Sequence, residues 1–211
     1  MQQNNDELPA DDEHTSKRLE PQRVSPRDGE REITVETLLN ATKLSVGKNE
    51  HLSHYLKRIT HLALNGDVSK SLLKGGAIRK IQNLHLCPKL KVLYLYDNEV
   101  EVIENLEVVP ELTQLHLQGN CLRRMENLTP LHHLEKLYLE KNAITRLEGL
   151  RDCLELQELY LANQAVPTDR FFAFEEDTMH SLAVRFSLLL IIDEIHCLVT
   201  AAFVNHLASS A

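Results

Sequence analysis

A chain of 211 residues with 43% apolar side chains, a formal charge of -8 and no tryptophan can hold one ordinary domain with a real core, not two. The acidic balance argues against a nucleic-acid partner, because a protein that tracks a phosphate backbone needs a basic footprint to displace counterions. Cys87, Cys121, Cys153 and Cys197 never occur as CxxC. They read as reduced thiols in a reducing compartment, not as a zinc site or a disulfide framework.

Residues 1–32 carry nine acids and five bases with almost no apolar side chains. Such a segment cannot bury enough surface to offset the entropy of ordering, so an acidic disordered tail is expected. Its start has neither the basic nor the apolar stretch of a secretory signal, which sets a cytoplasmic address as the expectation. "RVSP" at Arg23 to Pro26 matches a proline-directed phosphorylation pattern that is also common by chance. At Ile33 the texture changes: "ITVETLLNATKLS" places Val35, Leu38, Leu39 and Thr42 at helical spacing, and "HLSHYLKRI" adds a second short amphipathic stretch. Residues 33–57 therefore read as an N-terminal helical cap.

The chain then repeats itself. "LKVLYLYDNEVEVIENL" from Leu90, "LTQLHLQGNCLRRMENL" from Leu112, "LEKLYLEKNAITRLEGL" from Leu134 and "LQELYLANQAV" from Leu156 recur every 22 residues, with a weaker copy at "RITHLAL" from Arg58. Leu93, Leu115, Leu137 and Leu159 are equivalent, and so are Leu95, Leu117, Leu139 and Leu161. Asn98, Asn120 and Asn142 form a column that Gln164 closes. The pattern LxxLxLxxN predicts an α/β leucine-rich repeat solenoid over residues 58–185, about five repeats. A parallel concave sheet would line one side and short helical or 3-10 returns the convex side. No repeat can bury its leucines alone, whereas stacked copies share a core. The asparagine amides are expected to serve backbone groups that stacking would bury unpaired. An extra stretch of about nine residues in the first copy predicts a bulging loop from Gly66 to Gly76, measured against the repeat template.

Strand alternation turns the residues between the leucines outward. Tyr94, His116, Tyr138 and Tyr160 form the central outward column. Val92, Gln114, Lys136 and Glu158 flank it on one side, and Tyr96, Gln118, Glu140 and Ala162 on the other. Aromatics suit a pleated surface, yet amphipathic rings on a rigid concave face are also anchors for a protein partner. The expected partner-binding set is Tyr94, Tyr96, His116, Gln118, Tyr138, Glu140, Glu158 and Tyr160.

The short repeat with "ENL" after the turn resembles the SDS22-like family of phosphatase-regulating leucine-rich repeat proteins. "LKRITHL", "LCPKLKVLYLYDN", "LHHLEKLYL", "ELQELYLANQAVP" and "DTMHSLA" are similar to its regulatory subunits of protein phosphatase 1. The resemblance covers about Ile33 to Ala183. It implies a non-catalytic subunit that binds the phosphatase 1 catalytic chain through the concave face, with a cytoskeletal or centrosomal association. A structural adaptor that binds tubulin or centrosomal and ciliary proteins is the alternative. "AVRF" at Ala183 and "RVSP" both fall short of a short phosphatase-docking peptide, so the concave face must carry the binding if the first reading holds.

From Phe186 the text leaves the repeat. Leu189 and Ile191 are expected as a last strand, with Glu194 where an asparagine belongs. Residues 186–211 read either as a makeshift helical cap or as the product of an alternative transcript or faulty gene model, and truncation there is expected to weaken partner binding. The run is too interrupted by Asp193 and Glu194 to span a membrane, so no membrane partner is expected. No catalytic or cofactor site emerges. His51 and His54 lack a third metal ligand, His132 and His133 read as surface, and "KGG" at Lys74 lacks the rest of a phosphate loop. Cys87 and Cys153 fall where Val109 and Leu131 stand in other copies and read as core. The sequons at Asn40 and Asn127 are expected to stay bare without a signal peptide.

Overall fold

Leucines at every second residue, in stretches too short for helix, give three-residue strands, and equal spacing lets them stack in register. The computed structural model describes residues 30–42, 47, 50–66, 76–165, 173–175, 178 and 190–191. The expected acidic tail before Glu30, "RVSP", the loop over residues 67–75, Lys74, "AVRF" and nearly all of 186–211 lie outside the described residues.

In chain order the elements are α1 (Val35–Asn40), α2 (Leu52–Leu56), β1 (His61–Ala63), a 3-10 turn (Leu84–Leu86), β2 (Val92–Tyr94), β3 (Gln114–His116), β4 (Lys136–Tyr138), β5 (Arg146–Leu147), β6 (Glu158–Tyr160), β7 (Ala173–Phe174) and β8 (Leu190–Ile191). One parallel sheet runs β1-β2-β3-β4-β6-β8, and β5 pairs in parallel with β7. Register holds Leu62, Leu93, Leu115, Leu137 and Leu159 abreast. Every one is buried, and so are Leu64, Leu95, Leu117, Leu139 and Leu161 two residues on. Val100, Ile103 and Leu106 close the core from the return side, as do Leu122, Met125 and Leu128 and then Ile144, Leu147 and Leu150. Cys87 and Cys153 are buried beside the equivalent Val109 and Leu131. Burial pushes the Cys87 thiol up to about 11.

The cap begins at Thr34, whose Oγ1 accepts from the Thr37 backbone N–H at 3.2 Å. Leu38 of α1 and Tyr55 and Leu56 of α2 enter the core. Ala63 N–H on the outer edge of β1 donates to Ala41 C=O at 3.1 Å. The cap therefore occupies part of an edge that would otherwise expose unpaired backbone groups.

Two asparagine ladders stitch the turns. In the first, Asn120 Nδ2 donates to Leu95 O and Leu117 O, both at 2.9 Å, and Oδ1 accepts from Val100 N–H at 2.9 Å. Asn98 and Asn142 repeat the pattern one strand to either side. Gln164 reproduces it with one more methylene, donating to Leu139 O at 2.8 Å and Leu161 O at 3.0 Å and accepting from Ile144 N–H at 2.9 Å. In the second, Asn83, Asn105 and Asn127 donate to Ile33 O, Ile81 O and Ile103 O at 2.7, 2.6 and 2.7 Å. These three sit at positive φ of 61°, 58° and 59°, and Gly149 takes the fourth place at 76°.

The second ladder corrects an expectation. Among the described residues only Leu84–Leu86 is a 3-10 turn on the return side. A left-handed residue midway along each return cannot continue a right-handed helix, so the other described returns run as bends and turns, apart from the short strand β5 (Arg146–Leu147) that pairs with β7. The last strand is also displaced by one residue from its expected place. Leu159 pairs with Leu190 and Tyr160 with Ile191, so the backbone register sets Leu190, one residue after the expected Leu189, abreast of Leu159.

Candidate partner-binding face

The central outward column is a continuous stack of rings. Register sets Tyr94, His116, Tyr138 and Tyr160 side by side on β2, β3, β4 and β6. Tyr94 and His116 centroids lie 4.6 Å apart at 34°, His116 and Tyr138 4.2 Å at 9°, and Tyr138 and Tyr160 4.5 Å at 5°. Strand spacing of about 4.8 Å falls within the centroid separation of offset-stacked rings, so parallel register places the four rings to stack. Tyr96 closes one end with its ring 6.4 Å from Tyr94 at 85°. The rings are half-buried and turn their edges outward, since the faces of His116 and Tyr138 are taken by their neighbours.

Glu158 organises the far end. It accepts from Lys136 Nζ at 2.7 Å, from Tyr138 OH at 3.3 Å and from Tyr160 OH at 3.2 Å. The Lys136 ammonium first, helped by both phenols, holds the Glu158 carboxyl below the usual carboxylate range. Burial foremost, with Glu158 adding, pushes the Tyr138 and Tyr160 phenols upward. Burial first and then nearby Lys136 push His116 below its ordinary value. The sandwiched ring is thus favoured neutral.

The third column differs. Gln118 Oε1 and Glu140 Oε2 are buried with no hydrogen-bond partner among the described residues, and so is His116 Nε2. Asp97, in the turn after β2, lies with Oδ1 against Gly119, where a side-chain Cβ would strike it. Gly119 itself sits at φ 68°, which suits a residue without a Cβ.

All eight residues of the expected partner-binding set lie on this one face. Two residues of the flanking columns behave otherwise: Val92 is only 5% exposed and Ala162 only 7%, so neither presents a surface. Sequence reasoning missed Asp97 and Gly119, whose signal was a turn position recurring every 22 residues, and it missed that the rings would stack. His51 and His54 are exposed at the cap. His132 Nδ1 sits 3.0 Å from Asp152 O and His133 Nδ1 3.0 Å from Glu155 Oε1 on the outer surface. Among the described residues no cluster of three or more His, Cys, Asp or Glu could hold a metal, and no helix is long and apolar enough to cross a membrane.

No family model matches the chain, and no curated protein does. Solved structures similar to it include three from Listeria monocytogenes. Internalin InlF is 15% identical over 59% of this chain and 36% of its own, with a TM-score of 0.42. Internalin C2 is 26% identical over 53% and 55%, TM-score 0.41. The functional domain of InlJ is 18% identical over 53% and 27%, TM-score 0.41. This chain therefore spans less than two thirds of the length of each. The 22-residue register, the single parallel sheet and the amide ladder that ties each turn to its neighbours make the chain a leucine-rich repeat solenoid.

Proposed function

We propose that the chain is a non-catalytic scaffold that docks a protein partner on its concave sheet. The resemblance of its repeats points to the catalytic chain of protein phosphatase 1, in the cytoplasm or at the centrosome. The observation that carries the reading is the four-ring stack with its outward edges, held on a rigid parallel sheet. Rigid aromatic side chains lose little conformational entropy on binding, which is why such surfaces concentrate binding energy.

The test is affinity capture from cell extract with wild type and with a Tyr94→Ser, Tyr138→Ser, Tyr160→Ser triple variant of unchanged circular dichroism. Recovery of phosphatase 1 catalytic chain by the wild type, lost in the variant, supports the reading. Tubulin or axonemal proteins retained equally by both would overturn it in favour of a structural adaptor.

A further inference from the structure

The chain has five tyrosines, and their surroundings differ sharply. Tyr55 is buried, with 1% of its surface exposed. Tyr94 has His116 against its face, and Tyr96 meets Tyr94 edge-on with centroids 6.4 Å apart at 85°. Tyr138 and Tyr160 alone among the tyrosines lie face to face, 4.5 Å apart at 5°, held abreast by the register of β4 and β6. Both are half-buried on the concave face, within reach of a diffusing oxidant. Both phenols donate to one carboxylate oxygen, Glu158 Oε2, at 3.3 and 3.2 Å. Lys136 Nζ, 2.7 Å from Glu158 Oε1, keeps that carboxylate ionised and in place. A phenol gives up an electron far more readily when its proton can leave with it, and each of these phenols already directs its proton at a base.

We infer that Tyr138, Tyr160 and Glu158 form an oxidative cross-linking site, at which a peroxide-driven one-electron oxidant joins the two rings as dityrosine while Glu158 takes the phenol protons. Each phenol loses an electron to the oxidant and its proton, by way of Glu158, to water. The two phenoxyl radicals couple ortho carbon to ortho carbon, and the hydrogens on those carbons move to the phenol oxygens, restoring both rings. The sum converts two tyrosines and one hydrogen peroxide to one dityrosine and two waters. Register holds the radicals side by side, so coupling is intramolecular and outruns capture by a second molecule. A tilt of the rings out of parallel, toward the open side of the sheet, brings the ortho carbons together. His116 stacks as closely on Tyr138, at 4.2 Å and 9°, but an imidazole yields an electron far less readily than a phenol, so it flanks the site without joining it. The site requires no docked partner and so goes beyond the concave-face reading.

Dilute full-length chain is treated with a haem peroxidase and limiting hydrogen peroxide, resolved on a denaturing gel, and the monomer band is digested with trypsin. Dityrosine fluorescence should appear in the monomer. Mass mapping should find the peptides 137–141 and 152–170 joined with the loss of two hydrogens. Tyr160→Phe should abolish that product and Tyr94→Phe should leave it. Glu158→Gln should slow it severalfold, with circular dichroism confirming that each variant is folded. A tryptic digest oxidised after cleavage should lose the preference for this pair. Cross-links mainly between molecules, spread evenly over the exposed tyrosines, or equally selective in the digest overturn the inference. So does Glu158→Gln reacting as fast as wild type. The capture experiment uses no oxidant, so neither result decides the other.

Discussion

Replacing Asn120 by leucine removes the first amide ladder's bonds while keeping the number and branching of side-chain heavy atoms, so no cavity opens. In the wild type the amide donates to Leu95 O and Leu117 O and accepts from Val100 N–H, all at 2.9 Å. Leu95 O and Leu117 O keep other donors, since Asn98 Nδ2 reaches the first and Asn142 Nδ2 the second. Val100 N–H is left buried without an acceptor. Stranding it costs about 1–3 kcal/mol, and two lost hydrogen bonds add about 1 kcal/mol each, giving roughly 3–5 kcal/mol. That is a large share of the ~5–15 kcal/mol typical of a domain. Urea unfolding followed by circular dichroism reads the change, with the transition slope checked because a solenoid can unfold in parts. Asn120→Gln, which copies the bonding of Gln164, should cost clearly less. A loss below about 1 kcal/mol for Asn120→Leu would refute the view that the ladder serves otherwise stranded backbone groups.

Three further outcomes follow from the same coordinates. Gly66→Ala places a Cβ on the Asp97 carbonyl, a backbone atom that cannot step aside, so it should unfold the first repeat or cost at least about 3 kcal/mol in a melting or urea experiment. His116 is held below its ordinary value of 6.5, so the folded chain binds the proton less well than the unfolded chain does. Stability is therefore full above 6.5 and falls as pH drops through and below it. His116→Phe, which keeps the stack, should flatten that part of the pH profile, and an unchanged profile would contradict the assignment. At pH 8 a maleimide should modify exposed Cys121 well before buried Cys87, whose thiol is pushed up to about 11, or buried Cys153, as read by peptide mass mapping.

The face was legible in part. Which residues point outward follows from alternation once the 22-residue period is seen, so Tyr94, His116, Tyr138 and Tyr160 could be aligned without coordinates. Their stacking could not, because it depends on strands meeting with no offset, and a shift of one residue would set rings against leucines. The contrast between Glu158 and Glu140 is likewise invisible in the repeat. Both are acids at outward positions, and the reach of Lys136 Nζ and two phenols separates the Glu158 carboxylate from that of Glu140, whose Oε2 has no partner among the described residues. Val92 reads as outward and is covered, since alternation gives a direction but not what lies above it.

By itself the sequence determined the period, the inward leucines, the asparagine column and the cap before the first strand. Each is a local matter of spacing and backbone hydrogen-bonding capacity, repeated until chance is excluded. The tertiary structure alone decided that the returns are mostly bends around left-handed asparagines and that the last strand enters one residue late. It also decided that the concave rings form a single stack beside two buried acceptors, Gln118 Oε1 and Glu140 Oε2, that have no partner among the described residues. These depend on distances between residues some 20 positions apart in the chain, which packing sets and spacing does not.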